Sequence, residues 1–392
     1  MKKNNKSENY SGPHFILNYD RLEPGDIILE RGYSQHSELI SKQTNSDYSH
    51  AMICVGGTII EATREGGVFS RIPNRSTVRD INDFKVLRLK EYPGDEVIKV
   101  LCNHARCLAG SQYSVVEALK VKVPDFLREF EKDSRKQFCS RLVAQSYNKA
   151  KINLVDNINF CSPGDLERSR LLHVVEDMVH LASEEEIAHA LTPSPHVIHM
   201  KCAVGFVRAA LKIFESHGIR TIENQDDEVV ITTINDITTA LYQNRSYLGL
   251  DEELTDAMLS SGYLDHIDTD RRQNQYRYDP VLFRQKMEQE AGKDEELLLD
   301  ILRDEIRKDW SVLEVRLQSY FAGRENLKSG LKYAEAEFTI PKGLLKGMLE
   351  RIIVIRDYIS TKESTPDLRK MNDACNEIIQ KISHVAPELL KS

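Results

Sequence analysis

Val55-Gly56-Gly57-Thr58 lies between two apolar runs, His50-Ala51-Met52-Ile53-Cys54 and Ile59-Ile60-Glu61-Ala62, and no other local feature constrains the fold as strongly. Adjacent glycines supply the positive φ that a two-residue hairpin turn demands, so the flanking runs are expected to pair antiparallel. Counting outward from that turn sets Val55 opposite Thr58 and His50 opposite Thr63. Glu61 then becomes a diagonal neighbour of His50 on the same face, roughly 7 Å away at Cα and within reach of an imidazole. A three-residue loop would instead turn Glu61 to the opposite face.

The rest of the first half continues the pattern. Glu23-Pro24-Gly25-Asp26 reads as a turn ahead of the short strand Ile27-Ile28-Leu29, and Val68-Phe69-Ser70-Arg71-Ile72 and Phe84 to Leu89 read as further strands. These predict a small antiparallel sheet. Helical spacing follows from Glu96 to Gly110, from about Ser114 to Val121, and from Cys139, where Leu142, Val143, Ser146, Tyr147 and Ala150 share a side.

His50 and Cys139 carry the chemistry. A thiol needs a base and a setting that favours its anion, and a cysteine at a helix start has unpaired N–H groups and the positive end of the helix dipole beside it. Lys132, Arg135 and Lys136 upstream add positive charge if they lie close, and the same N–H groups suit an oxyanion. Glu61, bonded to one ring nitrogen of His50, would fix the tautomer and leave the other nitrogen for the thiol. Glu65 is the competing third member. A buried structural cysteine and a satisfied strand histidine are the bland readings of the same residues.

Leu22-Glu23-Pro24-Gly25-Asp26-Ile27-Ile28-Leu29, Tyr48-Ser49-His50-Ala51-Met52-Ile53, Ile60-Glu61-Ala62, Phe138-Cys139-Ser140-Arg141-Leu142-Val143 and Ser162-Pro163-Gly164-Asp165-Leu166 occur in that order. Taken together, residues 20 to 175 resemble the YiiX/YebB-like branch of the permuted NlpC/P60 papain-like cysteine hydrolases. The resemblance implies an α+β domain in which the histidine strand precedes the cysteine helix. By position, it makes Cys139 the nucleophile, His50 the base and Glu61 the orienting residue. Apart from the resemblance, Tyr48 and Tyr113 are candidate pocket residues for which core packing is an equal reading, and Arg141 is the third candidate. Arg141 stands where many relatives have a glutamate, which would alter the substrate mouth. Cleavage of an amide, ester or thioester through a thioester intermediate is implied, with peptides and acyl lipids among the substrate classes and no cofactor. A non-catalytic binding module, a toxin or effector and a lipid acyltransferase are the alternatives on the same fold.

Residues 1–175 carry 26 Lys and Arg against 22 Asp and Glu, leaving 27 against 39 in the remainder, and the acidic half argues against nucleic-acid binding. Neither a secretory signal nor an apolar run long enough for a bilayer is evident, so the cytoplasm is the expected location, with signal-independent secretion as the other route. Seven cysteines without CxxC pairs fit reduced thiols. Cys102 and Cys107 on one helix, and His173, Glu176, Asp177, His180, His189, His196 and His199, are weak metal candidates that solvated helix faces explain more simply.

Residues 1–19 read as a flexible segment, 20–175 as the hydrolase domain and 176–392 as an acidic all-helical domain, with a subdivision near 270–280. Helices are expected at Asp165 to Leu181, Glu184 to Leu191, Cys202 to Ser216, Asp236 to Tyr247, Glu252 to Ser260 and Pro280 to Phe321. Two more are expected to begin at Pro341 and Pro366. Leu298, Ile301, Leu302, Ile306, Trp310, Leu313, Leu317 and Tyr320 form the strongest amphipathic stripe, suited to packing in a bundle or to a protein partner.

Overall fold

The computed structural model describes residues 10–64, 66–110, 138–224 and 227–390. Tyr113, the helix expected at 114–121, Lys132, Arg135, Lys136 and Glu65 lie outside them. The chain forms two compact units, Met1–Val204 with Val230–Thr238, and Gly205–Val229 with Thr239–Ser392.

In the first unit six strands form one antiparallel sheet. After β1 (Phe15–Leu17), which lies outside this sheet, they are β2 (Ile27–Glu30), β3 (His50–Cys54), β4 (Ile59–Thr63), β5 (Gly67–Arg71), β6 (Phe84–Leu89) and β7 (Leu172–Val174), in the order β5-β4-β3-β2-β6-β7. β1 pairs separately with β8 (Val179–Leu181). The central strands are apolar at consecutive positions because both faces are covered. Ile27, Leu29, Ala51, Ile53 and Ile60 pack with Leu101, Cys102 and Ala105 of α2 (Asp95–Cys107), which follows α1 (Gln35–Thr44), and with Leu142, Val143 and Tyr147 of α3 (Cys139–Lys149). Ile28, Met52, Cys54 and Ile59 point the other way, against Leu17, Val78 and Met178.

The turn at Gly56-Gly57 fixes the register that matters most. Both glycines have positive φ, 88° and 71°, and the β3–β4 ladder pairs Cys54 with Ile59, Ile53 with Ile60 and Met52 with Glu61. This is the two-residue register, and it keeps Glu61 on the face of His50.

Glu23-Pro24-Gly25-Asp26 braces the opposite end of the sheet. Gly25, at φ 96°, donates its N–H to the Cys54 carbonyl, and the Tyr147 hydroxyl of α3 donates to the Gly25 carbonyl. Asp26 is 1% exposed and takes both Arg88 Nε at 2.7 Å and Arg88 Nη2 at 2.8 Å, besides the Glu23 amide at 2.8 Å. One carboxylate thus ties the turn to β6.

Downstream, the helix expected at Asp165 to Leu181 is not formed. Only α4 (Pro163–Glu167) is helical, closed by a Ser162–Asp165 capping box, and the chain then enters β7 and β8. Leu87 and Val86 of β6 give Leu172–Val174 a partner edge and Val175 a carbonyl, a tertiary pairing that outweighs local helical spacing. The hairpin of β9 (Thr221–Asn224) and β10 (Asp227–Val230) likewise interrupts what reads as wholly helical sequence.

Most of the remainder is helical: α5 (Glu184–Leu191), α6 (Pro195–Ser216), α7 (Ile234–Gln243), α8 (Leu250–Ser260), α9 (Thr269–Gln273), α10 (Pro280–Glu290), α11 (Glu295–Trp310), α12 (Leu313–Asn326), α13 (Lys332–Ser360) and α14 (Pro366–Val385). The long helix expected over Pro280 to Phe321 is three, interrupted at Gly292, whose φ is 56°, and again at Ser311-Val312. Pro366 opens α14 as expected, whereas Pro341 lies inside α13. Gly323 of α12 lies close to it: a Cβ there would come within 2.9 Å of Phe338 and 3.2 Å of Pro341, so the bare glycine lets the two helices approach at this point. Leu302, Ile306, Leu313 and Tyr320 of the amphipathic stripe are buried in this bundle, while Trp310 is 41% exposed under Lys381. No helix among the described residues is long and apolar enough to cross a membrane.

Asp26→Asn should lower stability by roughly 1–2 kcal/mol, because it removes the buried partner of Arg88 and leaves only the exposed Glu23. Urea unfolding would show this as a lower midpoint, and an unchanged midpoint would refute the brace.

Candidate active site

His50 opens β3 and Cys139 opens α3, so the imidazole is held by the sheet and the thiol by a helix packed on it. Phe138, the residue before the helix, is extended and offers no side-chain cap. First-turn amides are therefore left to face the sulfur side. The amides of Ser140 and Ala51 both bond Cys139, and β3 pairs with β4 only from Met52 onward. Ser140 Oγ donates to the Cys161 carbonyl at 2.7 Å, anchoring the helix start from the other side.

His50 Nε2 lies 2.7 Å from Glu61 Oε2. The ring also interacts with the Cys139 thiol, and Nδ1 is the nitrogen left for it. Cys139 is 6% exposed, Glu61 2%, and the His50 side chain 20%, so the imidazole is the member of the trio that meets solvent.

The charges form a chain. Burial would keep Glu61 protonated, yet the charge of Arg71 and the bond from His50 hold its carboxyl below the ordinary range. Burial likewise opposes the imidazolium, but bonds and charge from Cys139 and Glu61 outweigh it and raise the His50 pKa. For Cys139, burial again favours the neutral form, and the bond and charge of His50, with the Ala51 and Ser140 amides, push the pKa down instead. The buried thiols without such partners behave oppositely: burial pushes Cys54 up to about 12, Cys102 to about 11 and Cys375 to about 12. Local electrostatics, not burial, separates Cys139 from them. A thiolate–imidazolium pair next to helix amides is suited to nucleophilic attack on a carbonyl.

Arg71 is the residue that sequence reasoning missed. Its Nε lies 3.3 Å from Glu61 Oε1, an ion pair outside hydrogen-bond geometry, and its Nη2 lies 3.3 Å from Glu30 Oε2. The signal was present in the strand period, since Arg71 pairs with Ile59 and hence shares the face of Glu61.

The expected pocket residues are placed differently. Tyr48 is 3% exposed, packs in the core beneath the helices, and donates its hydroxyl to the Asn82 carbonyl at 3.0 Å. Arg141 is 3% exposed in the first turn of α3. Both side chains are buried. Of the metal candidates, Cys102 sits in the core with its thiol toward the Cys54 carbonyl, His180 pairs with Glu186 at 3.0 Å, and His196 meets Ser70 at 3.2 Å. Among the described residues no group of three or more His, Cys, Asp or Glu gathers to hold a metal ion.

Comparison with known proteins bears on the class to which this segment is similar. Residues 21–167 match the family described as permuted papain-like amidase enzyme, YaeF/YiiX, C92 family. The match supports a cysteine hydrolase in general. Among solved structures, the metalloprotein yiiX from Escherichia coli O157:H7 is 20% identical over 39% of this chain and 96% of that chain, with a TM-score of 0.30. No curated protein matches the chain.

The lowered carboxyl of Glu61 makes a pH prediction. Such a group contributes stability that is present above its ordinary value of 4.5 and lost as pH falls through its folded value. The stability advantage of the natural protein over Glu61→Gln should therefore be full above pH 4.5 and narrow below it. Paired urea titrations across that range would check this, and a constant gap would contradict it.

Proposed function

We propose that residues 21–167 act as a cysteine-dependent amidase within the wider NlpC/P60 group, with Cys139 as nucleophile, His50 as base and acid, and Glu61 as the residue that orients His50. The observation that carries this reading is the imidazole shared between Glu61 and Cys139, at 2.7 Å from the former and bonded to the latter.

The Cys139 thiolate attacks the amide carbonyl carbon, forming the C–S bond while the carbonyl π electrons move to oxygen. First-turn amides of α3 are the groups available to receive that oxyanion. Collapse breaks the C–N bond, and the proton that His50 took from the thiol leaves on the departing amine. A thioester remains on Cys139. Water, deprotonated by His50, then attacks it and releases the carboxylic acid and the thiol. Glu61 holds the ring in one orientation and balances the imidazolium throughout. Arrival of another acceptor in place of water would turn the same intermediate toward acyl transfer.

Iodoacetamide labelling at pH 6, read by peptide mass spectrometry, tests the site without a known substrate. Cys139 should label ahead of the exposed Cys107, and His50→Ala should slow it roughly tenfold or more by removing the thiolate's partner. Equal reactivity of the two cysteines would sink the reading. Trapped acyl groups on Cys139 from cell lysate, absent in Cys139→Ala, would identify the bond cleaved.

A further inference from the structure

We infer that Arg71 is a fourth member of the site, a positioning residue that keeps Glu61 ionised and so sets the pH range over which Cys139 is a thiolate. This rests on the amidase reading above and extends it to a residue that does not touch the thiol.

Glu61 is 2% exposed, and a carboxylate so placed takes up a proton unless a cation is close. Two cationic groups approach it: His50 on β3 at 2.7 Å, and Arg71 on β5 at 3.3 Å. They are not equivalent. The charge on His50 comes and goes with the proton shuttled to and from Cys139, whereas a guanidinium stays charged throughout the working range. Arg71 therefore holds Glu61 anionic in both states of the imidazole. Arg71 is itself steadied from two sides, by Glu30 at 3.3 Å and by the Met52 sulfur at 3.0 Å, both on strands next to or within the hairpin that carries the site. The charged and titratable groups in this chain, strand by strand, are Glu30 of β2, His50 of β3, Glu61 of β4, Arg71 of β5 and Cys139 of α3, with the Cys161 thiol interacting electrostatically with Cys139. Glu30 and Glu61 share the one guanidinium.

The test is the pH profile of iodoacetamide labelling at Cys139 in the full chain. In the natural protein the labelling midpoint should lie well below that of an ordinary thiol. Arg71→Gln should move it to higher pH, and each unit of movement makes labelling about tenfold slower on the acid side. Arg71→Lys, which retains the charge but not the fork, should recover most of the shift. An Arg71→Gln profile that overlays the natural one in a folded protein overturns the role of Arg71 while leaving the nucleophile intact. A natural profile already at the ordinary thiol range would instead overturn the amidase reading itself. Because Arg71→Gln strands a buried carboxylate and can unfold the domain, Glu61→Gln is compared with Glu61→Gln/Arg71→Gln, which removes both charges. Coincident profiles for those two are expected if Arg71 acts through Glu61. A further shift on adding Arg71→Gln shows that it does not.

Discussion

The register of one hairpin decides whether Glu61 meets His50. A slip of one residue at Gly56-Gly57 would exchange the faces of β4, carrying Glu61 into the layer of Ile60 and Ala62 beneath the helices and placing isoleucine beside His50. The two glycines therefore act on chemistry through backbone geometry. Their positive φ values allow the tight turn, the turn fixes the pairing, and the pairing brings a carboxylate to a histidine eleven positions earlier in the sequence.

Holding the thiol against that histidine is a separate problem, because Cys139 is far along the chain and arrives on another element. The solution is packing. Leu142, Val143 and Tyr147 bury one side of α3 on the sheet, Tyr147 reaches the Gly25 carbonyl, and Ser140 reaches the Cys161 carbonyl. These contacts do not select an active cysteine by themselves, since Cys54 and Cys102 occupy the same interior and their thiols are driven toward neutrality. Position at the uncapped end of α3, next to His50, reverses the effect of burial.

The parts of this architecture legible in the sequence are those written in short-range pattern. Gly56-Gly57 gave the hairpin and its register, the short apolar runs bounded by turns gave the antiparallel sheet, and the spacing after Cys139 gave α3. Pairing with Glu61 followed from counting. What escaped was contributed by distant chain. Leu172–Val174 becomes a strand by pairing along the edge of β6, and Pro341 sits within α13, packed close to Gly323 of α12, rather than opening a helix. For Tyr48 the sequence left pocket and core both open, and the structure buries it, together with Arg141. Arg71 had the right strand phase and no neighbouring motif to draw attention to it.

Buried ions occur in both units, and the contrast between them separates support from chemistry. In the helical unit Arg351 meets both oxygens of Asp309 and bonds the Tyr278 hydroxyl at 2.7 Å, while Arg277 bonds Glu305 at 2.8 Å and lies 3.4 Å from Asp270. Each of these carboxylates meets a permanent guanidinium, and for Glu305 and Asp270 the cations overcome burial to keep the acids ionised. Such a network holds helices in one arrangement, and no proton in it has a second place to go. The row in the first unit begins in the same way, with Glu30 and Glu61 on Arg71, but it continues through an imidazole to a sulfur. Both of those last groups can hold or release a proton, and the imidazole is partly open to solvent. A fixed cation at the closed end and a movable proton at the open end are what the proposed reaction requires of a buried-charge arrangement that elsewhere in the chain only supports the fold.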